Sequence, residues 1–253
     1  TKKGIDIVAI LDTSKSMTAE DFKPKNRMAV AKDTLKEFIK KRKNDRLGLI
    51  AFGSDAITKA PITYDHSIIN HHISNLSIGE AGDGTAIGLA IATGINRLNQ
   101  SLAKSKIMIL ITDGVNTAGQ IDPISATKIA IKKGIKIYCI GIGTKEGAPI
   151  PIHHQTYGKR YARHPNGQLI LTTFDDTILK KIASMTNARY FNATNTSELK
   201  DVYKEINELE KSIVETSKSV EIIELFPFII AVIASLFLIK EAIAIRRLTG
   251  VKT

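Results

Sequence analysis

Four short runs rich in Ile and Val, separated by stretches with helical periodicity, constrain this chain more than any other feature. The runs are IDIVAIL (5–11), LGLIAF (47–52), KIMILIT (106–112) and IKIYCIGIG (135–143). They are apolar along nearly their whole length rather than at alternate residues, which is typical of strands buried on both faces. Such strands need helices above and below them. The sequence therefore predicts an α/β fold with an open, mostly parallel sheet and helices on both faces.

The stretches between these runs supply the helices. Apolar periodicity and helix-start residues predict helices over 27–41, 85–102, 123–133 and 175–186, the third with Asp122 as N-cap and Pro123 at its first position. Short strands are predicted at 55–58, on the sheet edge, and at 188–191. The segment 144–172 contains three prolines and three histidines and is predicted to be a long loop or an irregular hairpin.

An amphipathic helix is predicted to close the domain over about 197–221. Its apolar residues recur at spacings of three and four, which places them on one face: Leu199, Val202, Ile206, Leu209 and Ile213. We expect this face to pack against the domain, and the helix to continue toward the segment that follows.

That following segment has the composition of a membrane span. Residues 225–239 contain no charge, and the flanking residues extend the apolar stretch to a predicted transmembrane helix over 222–241. Glutamates crowd before it, whereas Lys and Arg follow it, so the positive-inside tendency places the tail 242–253 in the cytoplasm. The predicted organisation is a domain over 1–212, a helical connection over 213–221, the span and the basic tail.

Composition excludes several other classes of protein. The single cysteine, Cys139, excludes an intrachain disulfide framework and multi-cysteine zinc or iron–sulfur sites. The net charge is +11, of which residues 222–253 contribute +2, so residues 1–221 carry +9. The densest basic run, 36–43, contains one aromatic residue, Phe38, on the predicted apolar face. A nucleic-acid platform carries several exposed aromatics, so we predict a solvated helix face and no nucleic-acid partner.

Polar residues collect where two buried strands end and where a helix begins. Asp12, Ser14 and Ser16 follow the first strand, Asp113 follows the third, and Thr85 ends the glycine-rich loop GDGT. In an open parallel sheet, ligands bind beyond the carboxyl ends of the strands. Two carboxylates and three hydroxyls are hard oxygen donors, which suit Mg²⁺, Mn²⁺ or Ca²⁺ and disfavour zinc. The sequence therefore predicts a divalent-cation site at this edge.

These three loops, in this order, resemble the metal-ion-dependent adhesion site of von Willebrand factor A domains, over about residues 4–210. The resemblance implies Mg²⁺ or Mn²⁺, with Ser14, Ser16 and Thr85 as direct ligands and Asp12 and Asp113 acting directly or through water. The stretches GIDIVAILDTSKSM, DGTAIG, LITDGVNTAGQIDP and IGIGTKEGAPIPI, followed by an apolar span, are similar to the BatA-type membrane proteins of the Bacteroides aerotolerance group.

The resemblance implies a membrane-anchored, metal-dependent protein-binding module that helps to assemble a cell-envelope complex. Its partner would supply an acidic residue to the metal. Other Bat-type membrane proteins and a MoxR-type ATPase are the implied associates. The implied location is the bacterial inner membrane, with the domain on the periplasmic side and the C-terminus in the cytoplasm.

Two alternatives remain open at this point. One is a structural envelope scaffold whose metal site is vestigial. The other is an enzyme resembling haloacid-dehalogenase-type phosphotransferases, but position 14, where those proteins carry an acid/base Asp, is Ser. No G-x-S-x-G nucleophile elbow is present, and no histidine lies at a predicted strand end. We therefore expect a protein that is not an enzyme.

Overall fold

The four apolar runs form neighbouring parallel strands at the centre of a six-stranded sheet in the computed structural model of the chain. The sheet strands are β1 (Asp6–Asp12), β2 (Arg46–Phe52), β3 (Ala56–Thr63), β4 (Lys106–Thr112), β5 (Ile135–Ile142) and β8 (Tyr190–Ala193). Their order is β3-β2-β1-β4-β5-β8, and only β3 pairs antiparallel. The mostly parallel sheet predicted from the sequence is confirmed.

The structure describes residues 5–103, 105–144, 146–154, 158–172, 174–194, 197, 199–206, 208, 235 and 239–245. The chain forms two units, Thr1–Lys211 and Ser212–Thr253. Within the described residues, no helix combines the length and apolar character needed to cross a membrane. Most of the predicted span 222–241, the connection 213–221 and the tail 242–253 lie outside the described residues.

Helices of the described part of the chain that flank the sheet include α1 (Arg27–Lys40), α2 (His66–Asn75), α3 (Ile87–Leu98), α4 (Pro123–Lys132) and α5 (Thr177–Met185). Side chains of α3, α4 and α5 pack with β1, β4 and β5 in one apolar cluster, while α1 and α2 contact each other. Side-chain caps begin several helices. Asn26 accepts a hydrogen bond from the Ala29 amide, and Asp122 accepts one from the Ser125 amide, each at 2.8 Å.

Three details of the prediction were wrong. Helix α2 was not predicted, although Asp65 caps it and Ile69 and Ile73 form a short buried stripe. Strand β3 is eight residues long rather than four, because it pairs with β2 as far as Thr63 through two register shifts. Helix α3 ends at Leu98, whereas the prediction continued to residue 102; polar residues 99–101 terminate it.

The segment 144–172 is the predicted irregular hairpin. Strands β6 (Pro151–His154) and β7 (Gly158–Tyr161) pair antiparallel, and isolated bridges join Pro149 to Leu171 and Arg163 to Leu169. The described residues of the last helix, 199–206 and 208, are helical, with Leu199, Val202 and Ile206 buried as predicted. Leu209 and Ile213 lie outside the described residues.

The parallel strands give the sheet two distinct ends. We call the end where β1, β2, β4 and β5 begin the amino edge, and the end where they finish the carboxyl edge. Because these strands are in register, with Asp6 opposite both Arg46 and Lys106, the loops that follow them emerge side by side at the carboxyl edge.

Candidate metal centre

A cleft of about 250 Å³ opens at the carboxyl edge, and residues of all three predicted loops line it. Ser14 and Ser16 come from the loop after β1, Thr85 from the loop before α3, and Asp113 from the loop after β4. Asp12, the fifth predicted residue, is fully buried directly beneath, at the end of β1. The fold therefore brings the five predicted residues together at one end of the sheet.

The loop after β1 presents its hydroxyls instead of using them to cap a helix. The Asp12 carboxylate accepts hydrogen bonds from the Ser14 amide at 2.8 Å and from the Thr112 hydroxyl at 2.6 Å, which fixes the turn. Ser14 precedes a short 3₁₀ helix, Lys15–Thr18, yet its side chain makes no capping bond. Its Oγ lies 3.0 Å from the Ser16 Oγ. An ordinary N-cap therefore does not explain Ser14.

The glycine-rich loop holds Thr85 against the loop after β4. Gly84 has a φ of +118°, a conformation that side chains rarely adopt, and a Cβ there would approach Ala118 to 3.1 Å. The Thr85 amide donates to the Thr117 hydroxyl at 3.0 Å, and the Thr85 carbonyl accepts from the Thr117 amide at 3.0 Å. The neighbouring Asp83 forms an ion pair with Lys15, which joins this loop to the one after β1.

Asp113 is held by a buried arginine that the sequence reasoning missed. The Arg27 guanidinium donates to Asp113 Oδ2 at 3.0 Å and to the two carboxylate oxygens of Asp21 at 2.8 and 2.7 Å. It also donates to the Thr172 hydroxyl at 2.9 Å. Ser16 hydrogen bonds to Asp113 as well. One signal for Arg27 was available: it occupies the first position of α1, where the helix dipole disfavours a cation.

The two carboxylates carry more negative charge than their surroundings compensate. Burial, and to a lesser extent the nearby Asp113 charge, together raise the pKa of Asp12 from its ordinary value of 3.8 to about 7. Burial likewise raises the pKa of Asp113, against the opposing effects of Ser16 and Arg27. Of the two carboxylates of the candidate site, Arg27 pairs with Asp113, and its charge is shared with Asp21. A divalent cation beside Asp12 would supply the missing positive charge.

The donor set fits a hard divalent cation. Two carboxylates and three hydroxyls converge, and the described lining of the cleft contains no thiol or imidazole. Among the described residues, no group of three or more His, Cys, Asp or Glu side chains is arranged to hold a metal. A metal at this edge would therefore need the hydroxyl ligands as well as the carboxylates.

The segment 144–172 contributes one wall of the cleft, which the sequence did not predict. Ile150, Leu171 and Thr172 line it together with Val115. Thr172 is fixed by Arg27 and by the Ala148 amide, which donates to its hydroxyl at 3.1 Å. Arg27 thus connects the Asp113 carboxylate to this wall, and the cleft combines polar oxygens with exposed apolar side chains.

Comparison with known proteins identifies the family of this fold. The von Willebrand factor type A domain family matches residues 6–205. The crystal structure of the conserved hypothetical protein BatB from Bacteroides thetaiotaomicron is 32% identical, with a TM-score of 0.72 over 82% of this chain and 100% of that one. An aerotolerance-related membrane protein from Bacteroides fragilis is 30% identical, with a TM-score of 0.71 over 81% of this chain and 98% of that one.

A curated relative extends the similarity to another organism. An uncharacterised protein of Borreliella burgdorferi is 32% identical over 192 residues, which are 76% of this chain. The chain spans 54% of the length of that relative. The family match covers most of the chain, and the BatB structure is covered in full. The chain therefore belongs to the von Willebrand factor type A domain family and, within it, to the Bat-type aerotolerance-related group.

Proposed function

We propose that this chain is a membrane-anchored protein-binding module whose binding depends on a divalent metal. The convergence of two buried carboxylates and three hydroxyls at the carboxyl edge carries the proposal. Ser14, Ser16 and Thr85 would hold Mg²⁺ or Mn²⁺, with Asp12 and Asp113 ligating directly or through water. Such an ion supplies a coordination position for an Asp or Glu side chain of a partner.

The proposed setting is the bacterial inner membrane. The span 222–241 would anchor the chain, with the domain 1–212 on the periplasmic side and the tail 242–253 in the cytoplasm. The basic residues after the apolar run support this orientation, and the B. fragilis relative is itself described as a membrane protein. Other Bat-type membrane proteins are the proposed partners, with a functional link to a MoxR-type ATPase, in assembly of an envelope complex.

We propose binding rather than catalysis at this cleft. The residue two positions after Asp12 is Ser14, which cannot serve as the acid/base of a phosphotransferase. The thiol of Cys139 is buried within β5, and burial raises its pKa, so it is a poor nucleophile. The apolar wall formed by Val115, Ile150 and Leu171 offers contact area to a partner.

One observation favours a second candidate, a scaffold with a vestigial metal site. Arg27 already places a permanent cation 3.0 Å from Asp113. A site neutralised in this way can stand without a metal, and the domain would then act through its surfaces alone.

Thermal unfolding of the metal-stripped domain with and without Mg²⁺ or Mn²⁺ separates the two. A ligand at 100 times its dissociation constant adds about 2.7 kcal/mol, which is roughly 5–11 °C in midpoint for a domain of this size. We expect this shift in the native protein and its loss in Asp113→Ala. Because that variant removes a partner of Arg27, Ser14→Ala serves as a second, milder one.

Ser101→Ala is the matched control. Ser101 donates to Asp6 at the amino edge, so its loss should lower stability by about 1 kcal/mol while leaving the metal-induced shift intact. No shift with either ion in the native protein would favour the scaffold. Where the shift is found, a pull-down with and without EDTA then identifies metal-dependent partners.

A further inference from the structure

The amino edge concentrates basic side chains. The described residues that connect elements at this edge, or begin its strands, include ten Lys or Arg and three Asp, within 5–6, 40–46, 63–66, 97–103, 105–106 and 131–136. Strand register places them together, because Arg46 and Lys106 both lie opposite Asp6. Much of the positive charge of the domain is therefore located at one end of the sheet.

The acidic groups at this edge are already engaged. Asp45 accepts hydrogen bonds from Arg42 at 3.1 Å and from the Ile5 amide at 3.0 Å, and it is buried. Asp65 caps α2, and Asp6, at the start of β1, pairs with Arg46. The exposed side chains that remain include Lys40, Lys41, Lys43, Lys132 and Lys133. The surface they create is strongly cationic.

Apolar side chains protrude from the same edge. Leu102, in the connection from α3 to β4, is 97% exposed. Tyr64, between β3 and α2, is 56% exposed, and Ile131, at the end of α4, is also exposed. A cationic surface with a protruding leucine and a tyrosine is what a protein offers to the headgroup region of an anionic bilayer. One exposed aromatic does not make a stacking platform for nucleic acid.

The described part of the last helix leads toward this edge. Lys200 pairs with Glu37 of α1 at 3.3 Å, and the Tyr203 ring lies 4.9 Å from Phe38. Glu205 then pairs with Arg189, which precedes β8. The described part of the last helix therefore runs along α1 toward the amino edge. The apolar run 225–239 follows it later in the sequence.

We propose that the amino edge is a docking surface for an anionic phospholipid bilayer. Lysine ammonium groups would pair with lipid phosphates while Leu102 enters the interface. A seven-residue strand is about 23 Å long, so docking would hold the carboxyl edge roughly that far from the bilayer, facing partners. This surface is separate from the metal centre and needs no metal.

Vesicle flotation of residues 1–211 tests the proposal. This range is one compact unit. The crystallised BatB chain is matched over its whole length by 82% of this chain. We expect binding to phosphatidylcholine vesicles that contain phosphatidylglycerol, no binding to phosphatidylcholine alone, and release at high salt. The triple variant Lys41→Glu, Lys43→Glu, Lys133→Glu should bind about 100-fold more weakly or worse.

The matched control reverses three exposed lysines away from the amino edge: Lys23→Glu, Lys128→Glu and Lys181→Glu. It changes the net charge equally and should retain most of the binding. Leu102→Ser should weaken binding by about fivefold. The native domain should bind vesicles equally well with EDTA and with Mg²⁺, so failure of the metal proposal leaves this one standing.

Three results would overturn the proposal: equal loss in both triple variants, binding that does not need phosphatidylglycerol, or no vesicle binding at all. Tighter binding to single-stranded RNA than to vesicles, unchanged by Leu102→Ser, would assign the surface to nucleic acid instead.

Discussion

The two edges of the sheet differ in the sign and in the burial of their charged residues. At the carboxyl edge, the described loops contain ten acidic and six basic residues, and the two carboxylates of the candidate site are buried. At the amino edge basic residues predominate, and most of them face solvent. Buried charge is costly unless it is compensated, whereas exposed charge costs little. Under the two proposals, the carboxyl edge attracts a cation and the amino edge meets an anionic surface.

The largest expected effect is on Arg27, the cation that compensates the carboxyl edge. In Arg27→Met, Asp21 and Asp113 keep buried carboxylates without their guanidinium. Breaking a buried pair in this way costs about 3–5 kcal/mol, or roughly 6–20 °C in midpoint. Thermal unfolding checks this, and the shift produced by Mg²⁺ should grow, because the ion becomes the remaining compensating charge.

Arg46→Met is the control at the amino edge. Arg46 pairs with Asp6 but is one-third exposed, so solvent screens the pair and the loss should be much smaller. Equal losses in the two variants would contradict the contrast between the edges.

The second prediction concerns pH, and it follows from Asp12. Its pKa in the folded state, about 7, lies above its ordinary value of 3.8. Without metal, the unfolded chain loses this proton first, so stability should fall as pH rises from about 4 to 7. Metal displaces the proton, so apparent Mg²⁺ affinity should fall below pH 7, approaching tenfold per pH unit. Calorimetric titration at pH 6 and pH 8 measures this directly.

Asp12→Asn provides the control for pH. The amide has nearly the same shape and does not titrate, so the metal-free variant should lose this part of the stability change between pH 4 and 7. A pH profile that matches the native one would assign the titration to another group.

The smallest expected effect is on folding at the amino edge. Leu102→Ser should change the free energy of unfolding by less than about 0.5 kcal/mol, because the side chain is almost fully exposed. Leu98→Ala, four residues earlier and fully buried, should cost about 2–5 kcal/mol. Chemical denaturation of both variants checks this, and a large loss in Leu102→Ser would mean that Leu102 serves the fold and not a surface.

Local signals accounted for most of the framework. The strands at 5–11, 47–52, 106–112 and 135–143 were predictable because burial on both faces leaves continuous apolar runs. Helix α2 was missed because ten residues with two buried isoleucines make a weak periodic signal. The extension of β3 was missed because pairing with β2, and not its own composition, sets its length.

The sequence by itself determined the buried apolar strands, the loops that end them and the five oxygen-bearing residues of the candidate site. Each of these depends on residues that are close in the chain. Only the tertiary structure decided that the Arg27 guanidinium would pair with Asp113, 86 residues away, and that the same guanidinium would donate to Thr172. It also decided that basic residues from separate connections would share one edge. These contacts join distant segments, so they arise from how the strands align in space, which no local pattern encodes.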